Sequence, residues 1–236
     1  MDLCFLYLTL RHKVLFMKEE NINPIEQIQE IKKMMQQSSR FISLSGLSGV
    51  FAGFFALAGA AAFYVYLNKN ISLGYSSIAQ TLPYNAEFDL ISFCVADAAI
   101  VLILSLLFGV FFTTRKAQNQ KQAIWNKTTR HLLINLIVPL ITGGLFCLIL
   151  LYYGIWGLVA PATLIFYGLA LLNASKYTLD EIKYLALTEI ILGLIACFFI
   201  GYGLTFWAIG FGVMHIVYGL IMYVKYEANP QPKKYW

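Results

Sequence analysis
Residues 90–114 read LISFCVADAAIVLILSLLFGVFFTT, and residues 115–130 that follow read RKAQNQKQAIWNKTTR. The first stretch carries one charged group, Asp97, in 25 residues. Coiled as a helix it would be about 37 Å long, enough to cross a hydrocarbon core of roughly 30 Å. The second stretch places Arg115, Lys116, Lys121, Lys127 and Arg130 just beyond it. An apolar run that ends in a cationic one marks a transmembrane helix and its cytoplasmic flank.

Working outward, the same pattern recurs. Six spans are expected, at about 41–67, 90–114, 132–153, 155–173, 179–200 and 204–224. Counted by side of the membrane, sixteen Lys and Arg fall on one side and one, Lys69, on the other. That asymmetry predicts both termini in the cytoplasm. Tyr64, Tyr66, Tyr152, Tyr153, Trp156, Tyr202 and Trp207 would mark the outer interface; Trp125, Tyr177, Tyr184, Tyr223 and Tyr226 the inner one. The expected fold is therefore an all-α integral membrane bundle of six transmembrane helices, N-in and C-in.

Composition agrees. Apolar residues make up 59% of the 236, charged residues 12%, and mean hydropathy is +0.69. Soluble domains carry about 25% charged residues. Six helices and their links use up nearly the whole length, so no separate soluble catalytic or nucleic-acid-binding domain is expected. The net charge of +5 comes from bases at membrane ends, where they attract anionic headgroups rather than nucleic acid.

Before the first span, residues 23–38 are predicted to form an amphipathic helix. Asn23 suits the cap, Pro24 the first helical position and Glu26 the first turn. Ile25, Ile28, Ile31 and Met35 share one side. This segment, within a cytoplasmic region 1–40, would lie on the inner leaflet or pair with a partner protein. Met17, followed by Lys18, Glu19 and Glu20, is the expected initiator, with 1–16 an upstream extension. The link 68–88, broken by Gly74, Pro83 and Asn85, is the longest outer loop. Residues 225–236 form a short cytoplasmic tail.

Span one is dense in small residues: Ser45, Gly49 and Gly53 recur every four positions. Such a face lets helices approach closely where lipid supplies no drive for association. It would pack within the chain or hold a homodimer. Thr178 and Glu181 form a capping box ahead of span five. Pro139 and Pro161 sit inside spans three and four, where a kink could free backbone carbonyls.

Ionisable groups inside a bilayer are costly and mark functional candidates. Three are expected: Asp97, Glu189 and His215. At about 1.5 Å per residue, Asp97 lies about 10–12 Å below the outer edge and His215 about 16 Å below it. Spans five and six form a hairpin that turns near Tyr202, which brings Glu189 level with residues 215–217. Glu189 and His215 could then touch, with Asp97 higher on another helix. The three would line a polar pathway or pocket; the alternative is interhelical hydrogen bonds that hold the bundle. Asn135, Thr142, Asn173 and Thr188 are weaker candidates.

The four cysteines, Cys4, Cys94, Cys147 and Cys197, fall in apolar runs without a C-x-x-C pair, so reduced, buried thiols are expected and no metal site. No Walker A loop, H-E-x-x-H or G-x-G-x-x-G is present, and no cofactor is expected. Gly46-Leu47-Ser48-Gly49 resembles the nucleophile motif of rhomboid proteases, with His215 in span six. Ser48 however stands in span one, too far along the chain from that histidine for the family's order of helices.

The stretches Ser38 to Gly49, Tyr202 to Trp207 and Gly212 to Gly219 resemble uncharacterised multi-pass membrane proteins of Bacteroidota-type bacteria. The resemblance covers the chain from about Ile25 and implies a bacterial inner-membrane protein, with no activity attached. The leading expectation is a non-enzymatic accessory, signalling or assembly component. A small transporter or channel using Asp97, Glu189 and His215 stands second, and an intramembrane hydrolase third.

Overall fold
The computed structural model describes residues 44–70, 84–119 and 124–228, together with residues 28, 29 and 31. The chain divides into two units, Met1–Ser39 and Arg40–Trp236. In the first, Ile28, Gln29 and Ile31 are helical, and Ile28 and Ile31 are exposed. The rest of the helix expected at 23–38, the start at Met17, Cys4 and the tail beyond residue 228 lie outside the described residues.

In the second unit all the described regular structure is helical. α1 is Gly46–Asn70, α2 Tyr84–Asn119, α3 Lys127–Tyr152, α4 Val159–Ala174 and α5 Asp180–Phe198. α6 runs through Gly203–Trp207, a wider π-type stretch at Ala208–Met214, then His215–Tyr223 and a second π-type stretch at Val224–Ala228. Five segments are long and apolar enough to cross a membrane: Gly46–Lys69, Asp89–Asn119, Lys127–Tyr152, Trp156–Tyr177 and Ile200–Ala228. α5 is the remaining long helix. It has 19 residues but carries Asp180, Glu181, Lys183 and Glu189, which makes it more polar than the others.

The boundaries move where local chemistry was misread. α2 starts at Tyr84, so Asn85 lies in a helix and the link after α1 is shorter than expected. α2 also runs on through Arg115 and Lys116 to Asn119. Pro161 falls in the first turn of α4, where its missing N–H leaves no bond unmade, so it has no helix to kink. Pro139 does sit inside α3, and the helix continues through it. α5 begins at Asp180 with Leu179 at the cap position, one residue after the start that Thr178 was expected to cap. Gly154 takes a left-handed φ of +69° in the tight turn after α3, a conformation open to glycine.

α1 packs antiparallel to α2, α3 to α4, α4 to α5 and α5 to α6. α2 lies along α1, where Phe51 stacks on Phe108 and Phe112 at 5.3 and 5.0 Å. α1 lies along α6, α6 on α4 and α5, and α3 on the outer side of α4. On α2, Ile100, Leu106, Leu107 and Val110 are all more than half exposed. A continuous apolar face of that kind is stable against lipid and not against water.

The seam between α1 and α6 is built from glycine. A Cβ placed on Gly53 would stand 2.5 Å from the Gly212 carbonyl oxygen, and one on Gly46 would stand 2.5 Å from the Gly219 carbonyl oxygen. From the other side, a Cβ on Gly219 would come within 2.7 Å of the Val50 nitrogen. Gly49 sits against Gly219 itself. The small-residue face of the first span is therefore covered by α6 of the same chain.

Candidate functional site
At the basic end of the bundle, polar groups tie helix ends together. Glu227 accepts from the Gly46 N–H at 2.6 Å and from the Ser45 hydroxyl at 3.2 Å. It thus caps the exposed donors at the start of α1. Lys116 reaches the same carboxylate at 3.3 Å and the Leu44 carbonyl at 2.7 Å. Ser45, buried at the same junction, is thereby a partner of Glu227. Beside it, Lys225 and Tyr226 both donate to Glu181. These contacts staple helix ends together.

The interior differs. His215 faces α4 and α5 from the end of the π-type stretch of α6. Its Nδ1 lies 3.0 Å from the Gly210 carbonyl oxygen, and its Nε2 lies 2.7 Å from the Tyr167 hydroxyl. A carbonyl can only accept, so Nδ1 carries the hydrogen and Nε2 accepts from Tyr167. Both ring nitrogens are then satisfied. Phe211 stacks beside the ring at 5.9 Å and leans on Tyr167 at 4.8 Å.

Glu189, on α5, is fully buried at 0% exposure. Its Oε1 comes 3.4 Å from His215 Nδ1, but that N–H is aimed at Gly210. Neither carboxyl oxygen has a hydrogen-bond partner among the described residues. The space that holds it exists because residue 210 is glycine: a Cβ there would stand 2.5 Å from Glu189 Oε2 and 2.5 Å from Leu164 Cδ2. The wider winding of Ala208–Met214 also sets Gly210 five residues before His215 with its carbonyl turned to the ring. Single stretches of π-type winding are frequent at functional positions.

Asp97 does not join this pair. It stands on α2 against α1, where a Cβ on Gly59 would be 3.2 Å from its carboxylate. It lines a cavity of about 310 Å³ at the opposite end of the bundle from the bases. Leu90, Trp156, Leu204 and Trp207 contribute to the same wall. The structure thus brings together two of the three expected groups, as counting from the α5–α6 turn implied, and sets the third apart.

The weaker polar candidates act locally. Asn135 donates to the His131 carbonyl, Thr142 to Val138 and Thr188 to Leu185, each within its own helix. Ser48 donates to the Ser45 carbonyl at 2.5 Å, while the His215 ring faces Tyr167 and Gly210. The serine–histidine pairing that the rhomboid-like motif would need is not formed. Cys94, Cys147 and Cys197 are free thiols. Among the described residues no three His, Cys, Asp or Glu gather as a metal site would require.

Tyr167 and Gly210 were not singled out by sequence reasoning. Tyr167 had a readable signal, since it is a tyrosine in mid-span rather than at either aromatic belt. Comparison with protein families, with curated proteins and with solved structures gives no match.

Proposed function
We propose that this chain is a six-span inner-membrane protein of the small transporter or channel class, with Glu189 as the group that takes up and releases a proton. In this reading α5 is the sixth span, and the bases gathered at one end of the bundle support a topology with both termini in the cytoplasm. The residues 23–38 would lie on the inner leaflet as an amphipathic helix.

One observation carries the functional reading. Polar groups that merely hold helices together are found hydrogen-bonded, as His215, Tyr167, Glu181 and Glu227 are here. Glu189 is buried without a donor for either oxygen. A carboxyl in that state costs stability, so its benefit lies elsewhere. Oε1 is 3.4 Å from His215 Nδ1. A small turn of the ring would exchange the Gly210 carbonyl for the carboxylate and open a path for a proton between them. Tyr167, on the far nitrogen, would continue that path toward α4.

The test is proton movement in vesicles reconstituted with purified protein. A potassium gradient with valinomycin sets the potential, and a trapped pH dye reports the interior. The expected result is a flux above that of protein-free vesicles, abolished by Glu189→Gln and retained by Asp97→Asn. A wild-type protein no faster than bare lipid, or an unaffected Glu189→Gln, would reject the reading. The second reading, an accessory or assembly component, is favoured by the exposed helical Ile28 and Ile31, which offer an apolar surface to a partner or to the inner leaflet.

A further inference from the structure
The cavity at the end of the bundle remote from the bases has a chemistry that the proton reading does not use. Its wall draws on the ends of α1, α2, α3, α4 and α6, all of which meet there because the helices alternate in direction. Most of it is apolar: Phe63, Leu90, Leu151 and Leu204 are typical members. Two indoles, Trp156 and Trp207, stand in the same wall; among the described residues Asp97 is its one Asp or Glu, and the lining contains no Lys, Arg or His. No hydrogen bond or ion pair to a described residue holds the Asp97 carboxylate. At about 310 Å³ the space falls at the small end of the range for small-molecule sites.

We propose that this cavity binds a small hydrophobic cation, an organic ammonium whose apolar body fills the space and whose charge is set against Asp97 and the indole faces. The reasoning is one of charge and shape. An apolar wall favours an apolar body through the area removed from water. A carboxylate in such a wall is destabilised when it faces nothing and is relieved when a cation faces it. Tryptophan faces attract alkylammonium groups. An anion would meet the carboxylate with no base to offset it. A neutral body of the same size would leave the carboxylate unpaired. The site stands apart from Glu189: Trp207 leans on Phe211 at 5.0 Å, and Phe211 in turn on His215 at 5.9 Å, so an aromatic partition separates cavity and buried acid. A ligand could bind whether or not the core exchanges a proton.

The experiment is calorimetric titration of the intact protein in nanodiscs of zwitterionic lipid. Hexyltrimethylammonium is the probe, and hexyl sulfate, of equal tail length and opposite charge, is the comparator. The expected result is saturable binding of the cation, at least ten-fold weaker binding of the anion, and a ten-fold or greater loss of cation affinity in Asp97→Asn. Equal binding of the two amphiphiles would overturn the proposal, because an apolar hollow alone would then explain it. So would cation heats that never saturate, or an Asp97→Asn variant that binds as the parent does. If Asp97→Asn fails to fold, Ala160→Phe decides. Its ring would enter the cavity from α4, and retained cation binding in that variant overturns the site, whereas lost binding with an unchanged melting temperature supports it.

Discussion

Two carboxyl groups sit within apolar helices of this molecule, and they live in opposite surroundings. Glu189 is sealed among α4, α5 and α6, at 0% exposure and with no donor to either oxygen. Asp97 stands at the wall of an open space of about 310 Å³. In sequence the two look alike, each a single acid in a long apolar run. The difference teaches that an intramembrane charge is interpretable only with the volume around it. An acid with no room is poised to change its own protonation, whereas an acid with room is poised to meet something else.

That contrast can be broken at several strengths. The largest effect is expected at the seam that holds the α1–α2 side of the bundle to the α6 side. Gly219→Leu drives a side chain into the backbone of Val50 and Gly46, and should cost about 3 kcal/mol or more. The check is folded yield and melting temperature in detergent. By contrast, a Cβ on Gly109 of α2 or Gly144 of α3 meets nothing within 4 Å, and Gly109→Ala or Gly144→Ala should stay within about 0.5 kcal/mol of the parent. Equal losses at all three positions would mean that the seam has been misplaced.

Next comes the buried acid itself. Glu189→Leu removes two unpartnered polar atoms, so it should stabilise the protein by about 1–3 kcal/mol while it ends proton movement. A less stable variant would show that Glu189 holds the core after all, and the contrast with Asp97 would weaken. Tyr167→Phe takes the donor from His215 Nε2 and should destabilise by about 1 kcal/mol. The smallest effect is expected for Asp97→Asn, whose melting point should move by less than about 0.5 kcal/mol in equivalent stability, even as ligand binding falls. A larger shift would place Asp97 among the structural groups.

Much of the architecture was legible because the bilayer-length runs are long and the bases between them are one-sided. The proximity of Glu189 to His215 was legible too, since a tight turn between two antiparallel helices fixes which residues stand level. The glycine seam was half legible. Gly46 and Gly53 are seven residues apart, as are Gly212 and Gly219, yet nothing in one helix announces its partner in another. The cavity could not be read at all. It is made where five helix ends fail to close on one another, and a gap of that kind is a property of the whole packing. The π-type winding at Ala208–Met214 escaped as well, because no composition rule announces it. Pro161 misled because its meaning turns on where α4 begins.

The clasp of α1 with α6 has a consequence for biogenesis. The first and the last of the described spans meet along Gly46 to Gly53 and Gly212 to Gly219, and Glu227, in the last turn of α6, caps the start of α1. During synthesis α1 enters the bilayer long before its counterpart exists. Until α6 arrives, a groove bare of side chains waits in lipid, and the first donors of α1 wait for Glu227. Every chain that stops short of α6 therefore carries the same unfilled groove and the same uncapped helix end.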